Sequence, residues 1–312
     1  MKYFLKKFAA LIATLLVISF LAFCAFQIIG NPIASMLGTN ATPEAIENLT
    51  HELGFDRPVL VRYFEWLINF VKGDFGISYS YHLPVNSMVG PKLGVTVFLT
   101  VIAFALTVII SLPLGILAAR KENGVFDKAL LIFDQVVMSI PPFFIGILLT
   151  CIFGLVLRVF TPGLFVPFNE NPDAFLSYMI FPALSIAIPR IAMTIKMLRS
   201  SILSEMQKDY ITTAYARGAN RKRALYQHAL KNAIIPVISF LAVSLSEMLA
   251  SCIVIEQIFS VPGIGRLLVS SIGTRDFTVV LAIVMILASW VVIVNFIADL
   301  IYQIIDPRIR LS

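Results

Sequence analysis

A chain of 312 residues that is 59% hydrophobic and 13% charged, with mean hydropathy +0.91, has about half the charged fraction of roughly 25% usual for soluble domains. A bilayer is its natural solvent. The net charge of +6 is weak evidence for a nucleic-acid partner, because membrane proteins concentrate Lys and Arg in cytoplasmic loops, where they set orientation.

The basic start MKYFLKKF leads into an uncharged run from Phe8 to Ile29, longer than the roughly 7 to 15 residues of a signal-peptide core, so an uncleaved first span is expected. Further runs near the roughly 20 apolar residues needed to cross a bilayer lie at 95–119, 129–157, 178–198, 233–255 and 279–301. The expectation is an all-α integral membrane protein of six transmembrane helices, one transmembrane domain over 1–312. Cys24, Cys151 and Cys252 fall inside apolar runs with no second Cys or His at metal-ligand spacing, and read as small core residues.

Between the first two spans, the outer loop 30–94 has its own helical grammar. Thr42 before Pro43 and Glu44 is an N-cap with proline at the first helical position, and Gly54 is a stop. A second helix presents Leu60, Phe64, Leu67, Ile68 and Val71 at helical spacing before Gly73, an amphipathic face that lies on the membrane or packs on the spans.

The third span carries Ser139-Ile140-Pro141-Pro142 and the fourth Pro182 and Pro189. Each proline frees backbone carbonyls that must find protein or water rather than lipid, which suits a translocation route. Ionisable groups within spans are costly and retained for a reason. Asp134 and Asp299 lie within about two turns of cytoplasmic ends, where a solvated or capping role is expected. Arg190 and Glu247 lie deeper; they either line a polar pathway or pair between the fourth and fifth spans, and the sequence does not choose between these.

With the N-terminus inside, sixteen of the 24 Lys and Arg fall on the cytoplasmic side and seven on the outer side. Four of those seven lie in the long outer loop, which counts little toward topology. Both termini are expected in the cytoplasm. No Gly-x-x-x-x-Gly-Lys-Ser/Thr cradle for phosphate occurs, and His51, His82 and His228 are far apart. No catalytic, cofactor-binding or metal-binding residues are expected in this chain, nor ATP hydrolysis by it alone.

The most informative stretch is DYITTAYARGANRKRALYQHALKNAIIP, inside the cytoplasmic segment 199–232 and its continuation. Tyr210 with Ala214, and Ile211 with Tyr215, stand at i and i+4 and give a short apolar face, which Gly218 can end in the left-handed conformation. Asn220 can then cap a second helix running toward Pro236. A short helix, a glycine break and a helix continuous with a span make a lever. A merely solvated basic loop would account for the charge alone.

That stretch resembles the cytoplasmic coupling loop of the membrane-spanning permease subunits of ABC importers of the dipeptide, oligopeptide and nickel class. The outer stretch TPEAIENLTHELGFDRPVLVRYFEWLINFVKGDFGIS is similar to their first extracellular region. VIEQIFSVPGIGRLL, with DPR near the end, is similar to their last outer loop and tail. One departure from the general importer pattern is plain. Thr212-Thr213-Ala214 stand where Glu-Ala-Ala would precede Gly218, and His228, Leu230 and Lys231 stand where Ile, Leu and Pro would, as is common in the peptide branch.

The resemblance implies the ABC importer permease fold and half of a pathway for di- or oligopeptides, with nickel or metal-chelate import as the alternative within the family. It assigns ATPase coupling to Tyr210, Ile211, Thr212, Thr213, Ala214, Tyr215, Gly218 and Leu230. It implies a second homologous permease subunit, two cytoplasmic ATPase subunits holding ATP and magnesium, an extracellular substrate-binding protein, contact with membrane lipid, a location in the prokaryotic cytoplasmic membrane and no nucleic acid. From another class, a secondary transporter or channel would need a mid-membrane coupling acid, which Glu247 offers, and inverted repeats, which the chain lacks.

Overall fold

Long apolar runs have no water in which to leave backbone groups unpaired, and they fold as helices that bond within themselves. The computed structural model describes residues 2–29, 33, 42–52 and 54–305. Among them are no β-strands, only an isolated bridge between Ile77 and Pro84. The helices are α1 (Lys2–Ile29), α2 (Pro43–Glu52), α3 (Val59–Val71), α4 (Val85–Arg120), α5 (Val125–Met138), α6 (Pro142–Leu149, continued by a π turn over Thr150–Val156), α7 (Pro172–Met206), α8 (Asp209–Ala216), α9 (Arg221–Ile258), α10 (Ile264–Gly273) and α11 (Phe277–Ile305). The chain divides into two units. One holds the residues up to Thr96 with Pro262–Ile293, the other Val97–Val261 with the residues from Val294.

Among the described residues, five helices are long and apolar enough to span a membrane: α1, α4, α7, α9 and α11. The third expected span is the exception. Over 129–157 the chain forms α5 and α6, bent by 101° at the break between them. Proline is the cause. It disfavours helical geometry in the residue before it and offers no N–H, so Ile140 and Pro141 cannot continue α5. Pro141 is extended at ψ 145° and Pro142 starts α6, where its missing N–H costs nothing. Pro182 and Pro189, by contrast, lie within an uninterrupted α7.

In the first unit Thr42 caps α2 through Ala45 N–H (3.3 Å), and Gly54 takes a φ of +69° just beyond its end. α3 packs on α1 through Tyr63, which meets Phe20 and Phe23 edge-on at 5.3 and 5.6 Å and shares a 2.8 Å hydrogen bond with Ser19. Trp66 and Leu67 join this cluster. The expected amphipathic face is thereby divided: Leu67 turns inward, while Leu60, Phe64, Ile68 and Val71 are all exposed. The loop before α4 is held by a carboxylate at the start of α11. Asp276, wholly buried, accepts from the Ser78 hydroxyl and from the backbone N–H groups of Tyr79 (3.3 Å), Ser80 (3.2 Å) and Val279 (3.4 Å).

In the second unit α7 is the central helix, packed on α5, α6 and α9. Its Leu198 and Ile202 meet Leu225, Ala233, Val237 and Leu241 of α9 and Ala119 of α4. Of the three cysteines expected in the core, Cys252 is buried and shares a 3.3 Å contact with the Thr100 hydroxyl, Cys24 is half-buried, and Cys151 is exposed on the π turn. An apolar run marks membrane depth, and in a lipid-facing helix that is not burial.

Candidate functional site

Segment 199–232, read from sequence as a loop with a helical lever, is helical through most of its length: α7 continues to Met206, α8 follows at Asp209 and α9 starts at Arg221. α8 ends in a closed cap. Gly218, at φ +88°, donates to Tyr215 O (2.9 Å) while Ala219 N–H reaches back to Ala214 O (3.0 Å). This is the pairing that needs a left-handed residue just past the helix. Asn220 then accepts from Arg223 N–H at 2.9 Å and caps α9, whose first turns widen to π geometry over Ala224–Ala229.

The apolar face of α8 differs from the i, i+4 pairs expected. Ile211 and Ala214, three apart, turn inward. Ile211 is wholly buried and packs with Ala224, Ala229 and Met206. Tyr210, Thr212, Thr213 and Tyr215 are left exposed, and Leu230 is half-buried against the α7–α9 core. Three apart is the spacing that brings two side chains to one side of a two-turn helix whose opposite side faces water.

Tyr210 joins three helices. Its hydroxyl donates to Glu205 Oε2 on α7 (2.6 Å) and accepts from Asn232 Nδ2 on α9 (3.1 Å). Burial, and then the bond to Glu205, hold the phenol above its ordinary value, so it remains a donor throughout the physiological range. Glu205 also pairs with Lys208. Arg221 reaches Glu122, in the turn between α4 and α5, at 2.8 Å.

Deeper along the same helices, Arg190 of α7 and Glu247 of α9 form an ion pair. Of the two arrangements the sequence left open, the pair is present, and its setting is asymmetric: the Arg190 side chain is 17% exposed and that of Glu247 is 49%. Glu247 stands in an exposed stripe with Val243, Ala250 and Val254, spaced four, three and four residues apart along one face of α9. A charge on a stripe left open by its own chain is typical of a face that meets water or protein rather than lipid.

Sequence reasoning missed two acids and misread a third. Asp127, wholly buried, takes two hydrogen bonds from Arg199 of α7 (2.5 and 2.7 Å) and one from Asn123 N–H (2.9 Å). The second, Asp276, has no pattern in its neighbourhood to betray a partner almost two hundred residues away. Asp134, expected to be solvated or capping, is wholly buried in mid-helix, and neither carboxylate oxygen has a hydrogen-bond partner.

Comparison with known proteins places this architecture. Residues 111–311 match the family model described as "Binding-protein-dependent transport system inner membrane component", and residues 1–100 match that of the N-terminal part of such membrane components. A protein of Sinorhizobium fredii named "Probable peptide ABC transporter permease protein" is 31% identical over 99% of both chains. An oligopeptide transport system permease of Bacillus subtilis and a glutathione transport system permease of Pectobacterium atrosepticum are each 32% identical, again over 99% of both chains. The chain belongs to the binding-protein-dependent inner-membrane components, as a multi-pass permease of a peptide-type ABC importer.

Proposed function

We propose that this permease forms half of an import pathway for di- or oligopeptides and that α8 receives the motion of an ATPase subunit. The observation that carries this reading is the seating of α8. Ile211 fixes it to Met206 and to the first turns of α9, Ala214 is buried on the same face, and Tyr210 ties it to Glu205 at the end of α7 and to Asn232 of α9. A helix held to two spans by its inner face, with Thr212, Thr213 and Tyr215 on its outer face, passes a push on that face to both spans.

The remaining parts follow from that assignment. The basic segment lies in the cytoplasm with both termini, as the distribution of Lys and Arg favours. Two ATPase subunits bind ATP and magnesium. A second permease covers the stripe around Glu247, so that the Arg190–Glu247 pair borders the pathway, and a binding protein delivers peptide from outside. Relatives named for peptide, oligopeptide and glutathione transport support a peptidic cargo, glutathione being itself a tripeptide.

The test is site-directed cross-linking in the assembled importer. A cysteine at Thr213 or Tyr215 should cross-link to an ATPase subunit, and one at Val254 to the second permease. If the α8 cysteines label freely from the cytoplasm in the complete complex and never cross-link to the ATPase, the coupling assignment is wrong.

A further inference from the structure

Asp134 is the one buried ionisable group among the described residues with both carboxylate oxygens unpartnered. A carboxylate taken from water without compensating donors is strongly unfavourable, so its place in a packed interface calls for a physical reason. Two turns earlier on α5, seven residues away and hence on the same face, Asp127 meets Arg199 of α7 in a fully satisfied pair. Asp134 repeats that arrangement without its cation.

A cation is at hand. Lys196, one turn before Arg199 on α7, is exposed, and its charge acts on Asp134. Its ammonium donates instead to Gln135 Oε1, the neighbour of Asp134, through a long 3.3 Å hydrogen bond. Lysine suits such a role, with a point charge on a flexible stem that swings between acceptors at little cost in geometry. α5 is also a separate segment, bounded by the turn at Asn123–Gly124 and by the proline break before α6, so that it can pivot about the Asp127–Arg199 pair without deforming a continuous helix. The α5–α7 face thus carries one closed rung, Asp127–Arg199, and one open rung, Asp134 with Lys196 displaced to Gln135.

We propose that Asp134 and Lys196 are a latent ion pair: in the other state of the transport cycle Lys196 leaves Gln135 and closes on the Asp134 carboxylate. The open rung stores a bias toward that state, because closing it relieves an unpartnered acid and exchanges an amide acceptor for a charged one. Asp127–Arg199 acts as the fixed end about which α5 moves. The inference rests on an ATP-driven cycle of two states.

The experiment uses the complete importer in proteoliposomes, reading uptake and ATPase activity stimulated by binding protein. Asp134→Asn and Lys196→Gln should each lower stimulated uptake at least tenfold with assembly unchanged, and the double variant should be no worse than the worse single. Because Lys196 is exposed, Lys196→Gln decides the matter if Asp134→Asn fails to insert. In parallel, cysteines at 134 and 196 joined by a short bifunctional reagent should give at least threefold more product in one nucleotide state than in the other. Wild-type uptake by Lys196→Gln, multiplicative losses in the double variant, or a yield indifferent to nucleotide would each overturn the latent pair. A wild-type complex without nucleotide-dependent uptake would instead overturn the ATP-driven cycle, and the control separates the two failures.

Discussion

Replacing Gly218 separates the chain's own needs from those of a docked partner. Its φ of +88° lies where residues with a Cβ are disfavoured, and an ideal Cβ built there has nothing within 4 Å. For the isolated permease the cost is therefore one of backbone conformation, about 1 kcal/mol, and the same for Gly218→Ala as for Gly218→Leu. That cost shifts the closed cap of α8 toward its frayed form about fivefold. In the assembled importer the two variants part company. Alanine adds one methyl group, whereas leucine fills the open space outside the cap that an ATPase surface would occupy. Co-purification of the ATPase subunits and uptake stimulated by binding protein are the assays. Gly218→Ala should keep most of both; Gly218→Leu should lose ATPase association while leaving membrane insertion normal. Equal behaviour of the two variants in the complex would refute the placement of this cap against the partner.

Ala214→Glu should damage the permease itself, since it forces a charge onto the buried face of α8 that also carries Ile211, at about 2 kcal/mol or more; limited proteolysis of the detergent-solubilised chain should cut between α8 and α9 faster. Thr213→Glu, on the exposed face, should leave that proteolysis rate unchanged and weaken only ATPase association. Arg190→Met and Glu247→Gln should be non-additive in thermal unfolding, with a coupling of about 1 kcal/mol, discounted from a buried pair because Glu247 is half-exposed; strict additivity would show that the pair does not hold the spans together. Asp276→Ala removes the acceptor of four hydrogen bonds and should destabilise the loop at 78–80 by about 3 kcal/mol. Faster protease cleavage in that loop checks it, and unchanged protection would count against the carboxylate as the anchor.

Most helices were legible, because apolar length and proline or glycine punctuation act locally: Thr42, Gly54, Gly218 and Asn220 each do at their positions what their chemistry favours, whereas the short α10 and the first turns of α4, over 85–94, were read as loop. Which side of a helix faces its own chain was less legible. In a bilayer both the protein-facing and the lipid-facing sides are apolar, so Leu60 and Leu67 of α3, or Cys252 and Cys151, look alike in sequence and lie in opposite settings. The 101° break was half visible: Pro141-Pro142 announces an interruption, but only packing on α7 sets the direction in which α6 leaves. Partners across long separations, Asp127 with Arg199 and Asp276 with Ser78, were invisible because no periodicity links them. Arg190 and Glu247 could be picked out because a charge at membrane depth is conspicuous wherever its partner lies.

The pairings between α7 and α9 connect the two candidate sites. Glu205 and Asn232 meet at Tyr210, and Arg190 meets Glu247. Fifteen residues separate Arg190 from Glu205 on one helix and Asn232 from Glu247 on the other, a rise of about 22 Å in each case. Equal spacing on antiparallel helices means that a single register, reinforced near the Tyr210 end by Ser201 donating to Ala233 O at 2.8 Å, serves both contacts. Sliding α9 along α7 would break both; a concerted tilt of the pair preserves both and carries displacement from one end to the other. The unbroken course of α7 through Pro182 and Pro189, in contrast to the break at Pro141-Pro142, keeps that arm continuous where it has to transmit. Under the proposed coupling, a push on α8 would reach the Arg190–Glu247 pair as movement of a helix pair, with no chain of side-chain rearrangements required between the two sites.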